Sequence, residues 1–194
     1  MKNIILYRVV RVILKPIFAF LYRPKIIGKE NIIHDEAVIY AGNHQHNLDS
    51  LFLAYVIKRT VHFIAKKEMV ESRLGFAFRR IGLIPVDRTK KNPLAIKTAL
   101  DYLSKGAVIG IFPEGTFNRT GDVIMPFKFG AVKLAHDSQA YLVPFTITGK
   151  YGLFGLKKRA IITFLKPYKV KDDLVKENKK LEMIISRQLI KKEK

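Results

Sequence analysis

Three observations predict an α/β fold. From about residue 36 short β-rich runs alternate with helix-like runs, Pro and Gly punctuate their ends, and the composition is that of a folded chain, with 48% hydrophobic residues and no enrichment in Pro or Gly. At 194 residues the chain fits one domain with a sizeable core.

The first element is a helix over residues 3–22. Ile4, Ile5, Leu6, Val9, Val10, Val12, Ile13, Leu14, Ile17 and Phe18 make most of its circumference apolar, and Arg8, Arg11 and Lys15 gather on one stripe. Spanning a bilayer takes about 20 consecutive apolar residues, and these cations interrupt the run. The segment is therefore expected to lie in a membrane interface. It lacks the unbroken apolar centre and small-residue cleavage site of a secretory signal. Packing on the protein's own core would produce the same periodicity, so that reading stays open.

Strands are expected at 37–42, 61–65, 83–86, 108–112, 141–147 and 160–166, and helices at 50–58, 67–81, 94–104 and 128–137. Pro93 starts the 94–104 helix and Gly106 stops it. Residues 172–192 form a charged helix with an apolar stripe of Leu174, Val175, Leu181, Ile184, Ile185 and Leu189. No repeat, low-complexity tract or linker interrupts the chain. The expected organisation is a basic amphipathic segment at 1–30, a central domain at 31–170 and the charged helix at 171–194.

The chain holds 36 Lys and Arg against 16 Asp and Glu, a net charge of +20, which favours a polyanionic partner. Lys2, Arg8, Arg11, Lys15, Arg23, Lys25 and Lys29 all precede the first acid, Glu30, and sit among large apolar side chains. That mixture suits an anionic lipid surface. Nucleic acid is disfavoured, because neither a duplex-reading motif nor basic and aromatic interleaving is present. The absence of cysteine excludes disulfides, thiolate metal sites and a cysteine nucleophile.

His44 and Asp49 stand five residues apart in Asn43-His44-Gln45-His46-Asn47-Leu48-Asp49. Five steps of about 100° leave two helical side chains roughly 140° apart, and odd separations face opposite sides of a strand. The two meet only if the chain turns between them. Gly42-Asn43, lying between a strand and a helix, supplies such a turn, and function gathers at such junctions in α/β folds. A carboxylate on an imidazole fixes its tautomer and stabilises the cation formed when the ring takes a hydroxyl proton. Spacing alone also allows Asp49 as a helix N-cap and His44 as a loop residue, and His46 is a rival base.

Phe112-Pro113-Glu114-Gly115-Thr116 ends another strand, where a loop can expose backbone N–H groups and Gly115 admits a ligand close to the main chain. An ordinary turn fits the same residues. Glu114 is expected to orient a cation or bind an acceptor hydroxyl. Gly82 to Arg88 ends a further strand with a guanidinium suited to phosphate, or paired with Asp87. Lys66, Lys128 and Arg119 can add positive charge. His44, His46 and Asp49 lack further ligands for zinc, so no metal is expected.

Taken in order, these segments, with Phe63-Ile64-Ala65-Lys66-Lys67-Glu68, Phe127-Lys128-Phe129-Gly130-Ala131 and Val143-Pro144-Phe145, resemble the glycerolipid acyltransferase family that includes the 1-acylglycerol-3-phosphate acyltransferases. The resemblance covers roughly residues 35 to 150. It implies a mixed, mostly parallel sheet flanked by helices, seated by the N-terminal helix on the cytoplasmic face of the membrane as a peripheral or monotopic protein. It further implies that His44, oriented by Asp49, acts as base while an acyl group passes directly from acyl-CoA or acyl-acyl carrier protein to lysophosphatidic acid, with no bound cofactor. By the same resemblance Arg88, Glu114, Gly115 and Thr116 belong to the acceptor's phosphate site, joined by Lys66, Arg119 and Lys128, and Pro144 shapes the wall. Two positions depart from the family pattern: Phe117 stands where Arg is usual, with the next cation at Arg119, and His46 stands where Ser is common. The chain is short for the family, which implies little room for a deep acyl-measuring tunnel. A serine hydrolase is the nearest enzymatic rival, but the chain has no Gly-x-Ser-x-Gly elbow, and Ser50 suits a helix start better.

Overall fold

The central strands are buried along almost their whole length, and because successive side chains point to opposite faces the sheet has an apolar surface on both sides. In the computed structural model, which describes residues 4–73, 75–87, 89, 91–152, 154 and 159–193, the chain runs α1 (Ile4–Tyr22), β1 (Lys25–Ile27), β2 (Val38–Gly42), α2 (Leu48–Val56), β3 (Val61–Lys66), α3 (Lys67–Glu71), α4 (Gly75–Arg80), β4 (Ile84–Val86), α5 (Pro93–Ser104), β5 (Val108–Ile111), α6 (Gly130–Ser138), β6 (Tyr141–Thr148), β7 (Ile161–Phe164) and α7 (Leu174–Glu193). The strands pair in the order β1-β7-β6-β2-β5-β3-β4. All neighbours are parallel except β6 and β7. This is the mixed, mostly parallel α/β sheet that the resemblance implied.

Val38 and Tyr40 of β2 enter one core with Phe52 and Leu53 of α2, while Ile39 and Ala41 enter the other with Ala99 of α5, Ala131 and Leu134 of α6 and Leu181 and Ile185 of α7. Both faces of the sheet are thus covered, as parallel strands require. The charged C-terminal helix is integral to the second core: Leu181, Ile185 and Leu189 are buried, whereas Val175 is exposed.

Two elements differ from expectation. The run at 67–81 is two helices, because Ser72 turns extended, its hydroxyl donates to the Met69 carbonyl at 2.7 Å, and Gly75 N–H donates back to Ser72 O at 2.7 Å. Residues 25–27 join the sheet as β1 beside β7, so the expected boundary at residue 30 falls after the start of the sheet. A strand of three residues whose partner lies at the far end of the chain leaves no local signal. The α5 boundaries hold as expected: Pro93 opens the helix, and Gly106 at φ 72° closes it, with its N–H on Leu103 O at 2.9 Å.

On α1, Tyr7 and Phe18 are buried, Tyr7 OH accepts from Val61 N–H at 3.3 Å, and Arg11 donates to Lys58 O. Arg11 and Lys15 therefore lie on the side facing the protein, and Arg8 at the edge of their stripe is exposed. The opposite side carries Val9, Ile13 and Phe20, which are 48%, 57% and 63% exposed. The helix packs on the core by one face and leaves an apolar face uncovered. Among the described residues no helix is long and apolar enough to cross a membrane.

Candidate active site

β2 ends at Gly42 and α2 begins at Leu48, and the five residues between them bend the chain at the C-terminal edge of the sheet, where open α/β sheets place their ligands. Asn43 pins the start of the bend. Its side-chain amide donates to Ile147 O at 2.9 Å and accepts from Ile147 N–H at 2.8 Å, extending the β2–β6 pairing by one side chain.

His44 Nδ1 then lies 3.0 Å from Asp49 Oδ2. The same oxygen accepts the N–H groups of Gln45 at 2.7 Å and His46 at 2.8 Å, and Oδ1 accepts the Tyr151 hydroxyl at 2.7 Å. Asp49 is 0% exposed and lies in the first turn of α2, yet it reaches backwards to the bend. It is therefore not the helix N-cap. Asp49 Oδ2 acts as acceptor to both backbone N–H groups, so the network assigns the His44 proton to Nδ1 and leaves Nε2 bare. His44 stacks on Phe112 at a centroid distance of 3.9 Å, with Phe117 at 4.4 Å, and its side chain is 13% exposed where it lines the cleft.

His46 is no rival. Its Nδ1 accepts Leu48 N–H at 3.1 Å, and only its backbone reaches Asp49.

The cleft has a volume of about 1140 Å³ and a mostly apolar lining from α1, α2, β3, α4 and the loop after β5. The inner face of α1 and the far ends of β3 and β5 border one continuous space. Lys66 at the end of β3 lines it, paired with Glu68 at 3.2 Å. Lys128 lines it with no ion pair among the described residues, its backbone N–H on Pro113 O at 2.9 Å. Gly115 lines it at φ 73°, and a Cβ there would lie 3.0 Å from Lys128 Cε, so glycine is what lets the lysine lie along the loop.

Other expected residues stand elsewhere. Glu114 is 3% exposed, and both its oxygens are occupied: Oε1 accepts His44 N–H and Oε2 accepts Met125 N–H, each at 2.9 Å. It is a strut that fixes the dyad's backbone, buried behind the cleft lining to which its neighbours Pro113 and Gly115 belong. Thr116 and Arg119 are exposed and off the cleft, the Arg119 guanidinium 6.0 Å from the Phe117 ring centroid. Pro144 is buried in β6 opposite Ala41 and does not reach the cleft wall. Arg88 lies outside the described residues, just after Val86 and Asp87 of the lining.

Burial pushes the Glu114 carboxyl above the usual range, more than its two backbone donors pull it down. The folded protein thus holds this proton at a pH where the unfolded chain has released it. The stability linked to it is greatest at low pH and falls as pH rises through the raised value. Glu114→Gln is expected to abolish that slope and to set an amide N–H₂ against a backbone N–H. One buried mismatch costs about 1–3 kcal/mol, and each kcal/mol lowers Tm by about 2–4 °C at this size. Thermal melts across pH check both effects.

Sequence reasoning missed Tyr151, and it missed a clamp from α7, where Glu182 Oε1 accepts Phe127 N–H at 2.8 Å and Asn178 donates to Phe127 O at 3.0 Å, fixing the residue before Lys128. Both are distant in sequence from what they hold, and no local pattern marks them.

The profile of the Acyltransferase family matches residues 23–148. A 1-acyl-sn-glycerol-3-phosphate acyltransferase of Bacillus subtilis is 35% identical over 127 residues, 64% of this chain and 62% of that protein. The enzyme of the same name from Saccharomyces cerevisiae is 31% identical over 160 residues, 74% of this chain and 50% of that protein. The chain thus spans about half to three-fifths of these relatives. The crystal structure of the 1-acyl-sn-glycerophosphate (LPA) acyltransferase PlsC from Thermotoga maritima shares the fold at a TM-score of 0.78 and 22% identity, covering 96% of this chain and 79% of that one. Since the profile takes in the bend, both members of the dyad and the cleft loop after β5, this chain belongs to the Acyltransferase family.

Proposed function

We propose that the chain transfers a fatty acyl group from an acyl thioester to the free hydroxyl of 1-acyl-glycerol 3-phosphate, forming phosphatidic acid. The observation that carries this reading is the His44 Nδ1–Asp49 Oδ2 contact of 3.0 Å at the wall of a wide apolar cleft. With Nδ1 protonated, Nε2 takes the acceptor's hydroxyl proton as that oxygen attacks the thioester carbonyl. Collapse of the tetrahedral adduct breaks the carbon–sulfur bond, and the imidazolium returns its proton to the leaving thiolate. Asp49 holds the ring and stabilises its charge throughout. Nothing in this path requires a covalent acyl-enzyme or a bound cofactor.

The acceptor's phosphate is taken by Lys128, close to the N-terminus of α6, with Arg88 and Lys66 adding charge. The acyl chains occupy the apolar length of the cleft. The apolar outer face of α1 sits in an anionic lipid surface as a peripheral or monotopic seat on the cytoplasmic side, which supports delivery of a lipid acceptor. The donor is acyl-CoA or acyl-acyl carrier protein.

Purified protein given lysophosphatidic acid, glycerol 3-phosphate and neutral lysolipids, each with both thioester carriers, is expected to form phosphatidic acid from the first. Release of free fatty acid at one rate with and without acceptor would replace the transferase reading with a thioesterase.

A further inference from the structure

Asp49 Oδ1 is held by a hydroxyl 102 residues further along the chain and outside the segment matched by the family profile. The hydroxyl belongs to Tyr151, whose ring sits among aromatic side chains: Tyr22 at 5.9 Å and Phe18 at 6.4 Å from α1, Phe52 at 6.1 Å from α2, and His46 at 5.1 Å. One side chain thus touches both the buried carboxylate of the dyad and the inner face of the first helix. We propose that Tyr151 is the positioning residue that couples the dyad to α1: its hydroxyl sets Asp49 for His44, and Phe18 and Tyr22 set its ring. The proposal rests on His44 acting as the base.

A carboxylate only accepts, so Tyr151 must donate. Burial, with the Asp49 charge beside it, pushes the phenol up, so it remains a donor at any working pH. With Oδ1 satisfied, the three donors on Oδ2 and the one on Oδ1 fix the carboxylate plane, and the His44 ring is fixed with it. The hydroxyl also draws charge from the carboxylate, which tempers its pull on the imidazolium. Among the described residues, the ionisable groups beside the His44 ring other than Asp49 and Tyr151 are Glu114, joined to its backbone, and His46 on the same bend. Neither changes when the phenol oxygen is removed.

Tyr151→Phe keeps the ring and deletes only that oxygen. We expect kcat to fall about tenfold, the rate equivalent of one hydrogen bond to a charged group, with KM for the acceptor unchanged. The His44 ring, followed by NMR, is expected to titrate at higher pH than in the parent, because an unshared carboxylate holds the imidazolium more strongly. The acid limb of the kcat–pH profile should move up with it. Phe18→Leu is expected to lower kcat in the parent and to have no further effect in the Tyr151→Phe background. Parental kcat with an unmoved His44 titration would overturn the positioning role, and a downward shift would do so too. An equal effect of Phe18→Leu in both backgrounds would overturn the coupling to α1. The NMR titration needs no substrate, so it stands even if the acceptor proves to be something other than lysophosphatidic acid.

Discussion

Replacing His44 with Ala is expected to lower kcat by about 10²- to 10⁴-fold, the usual yield of a positioned general base, which is a barrier increase of about 3–5 kcal/mol. The fold should survive, because the imidazole forms part of the cleft wall and its loss widens an existing space without opening a sealed one. Asp49→Asn is the sharper test, since it changes the charge and almost nothing else. Its amide oxygen can accept the three N–H groups now on Oδ2, and its N–H₂ can face Tyr151, whose hydroxyl rotates to accept. What disappears is the negative charge that stabilises the imidazolium. A fall of similar size is therefore expected with native circular dichroism. Steady-state kinetics on both variants checks it: turnover within tenfold of the parent would remove the dyad from the chemistry, and loss of fold in both would return the residues to structural roles.

Substituting Val9, Ile13 and Phe20 together by Gln is expected to lower binding to anionic vesicles by at least about 100-fold. These side chains share one exposed stripe of α1, where Phe20 also meets the edge of the exposed Phe154 ring at 5.6 Å. Burying each in lipid contributes about 1.5–3 kcal/mol, of which about 1.4 kcal/mol is a tenfold change in partitioning. Vesicle co-sedimentation measures the loss, and raised salt should reproduce only the smaller share due to Arg and Lys. Activity on a short-chain, water-soluble acceptor should persist, since the inner face of the helix, with Tyr7, Arg11 and Phe18, is untouched. Unchanged sedimentation would mean that the apolar stripe does not meet lipid.

The chain's local order was enough to determine the α/β class and the helix from Pro93 to its stop at Gly106, and it placed a turn between His44 and Asp49 that allows them to meet. Each of these depends on residues a few positions apart, where periodicity, punctuation and spacing carry the physical constraint. The tertiary structure decided the rest. It made Glu114 a strut with both oxygens engaged, although its place beside Gly115 had suggested a ligand. It turned the Arg11 and Lys15 side of α1 inward, left the apolar face outward, and added β1 to the sheet. It also brought Tyr151 to Asp49, and Asn178 and Glu182 to Phe127. In every one of these cases the deciding partner is remote along the chain, and hydrogen-bond satisfaction in a buried core is settled by which segments the fold brings together.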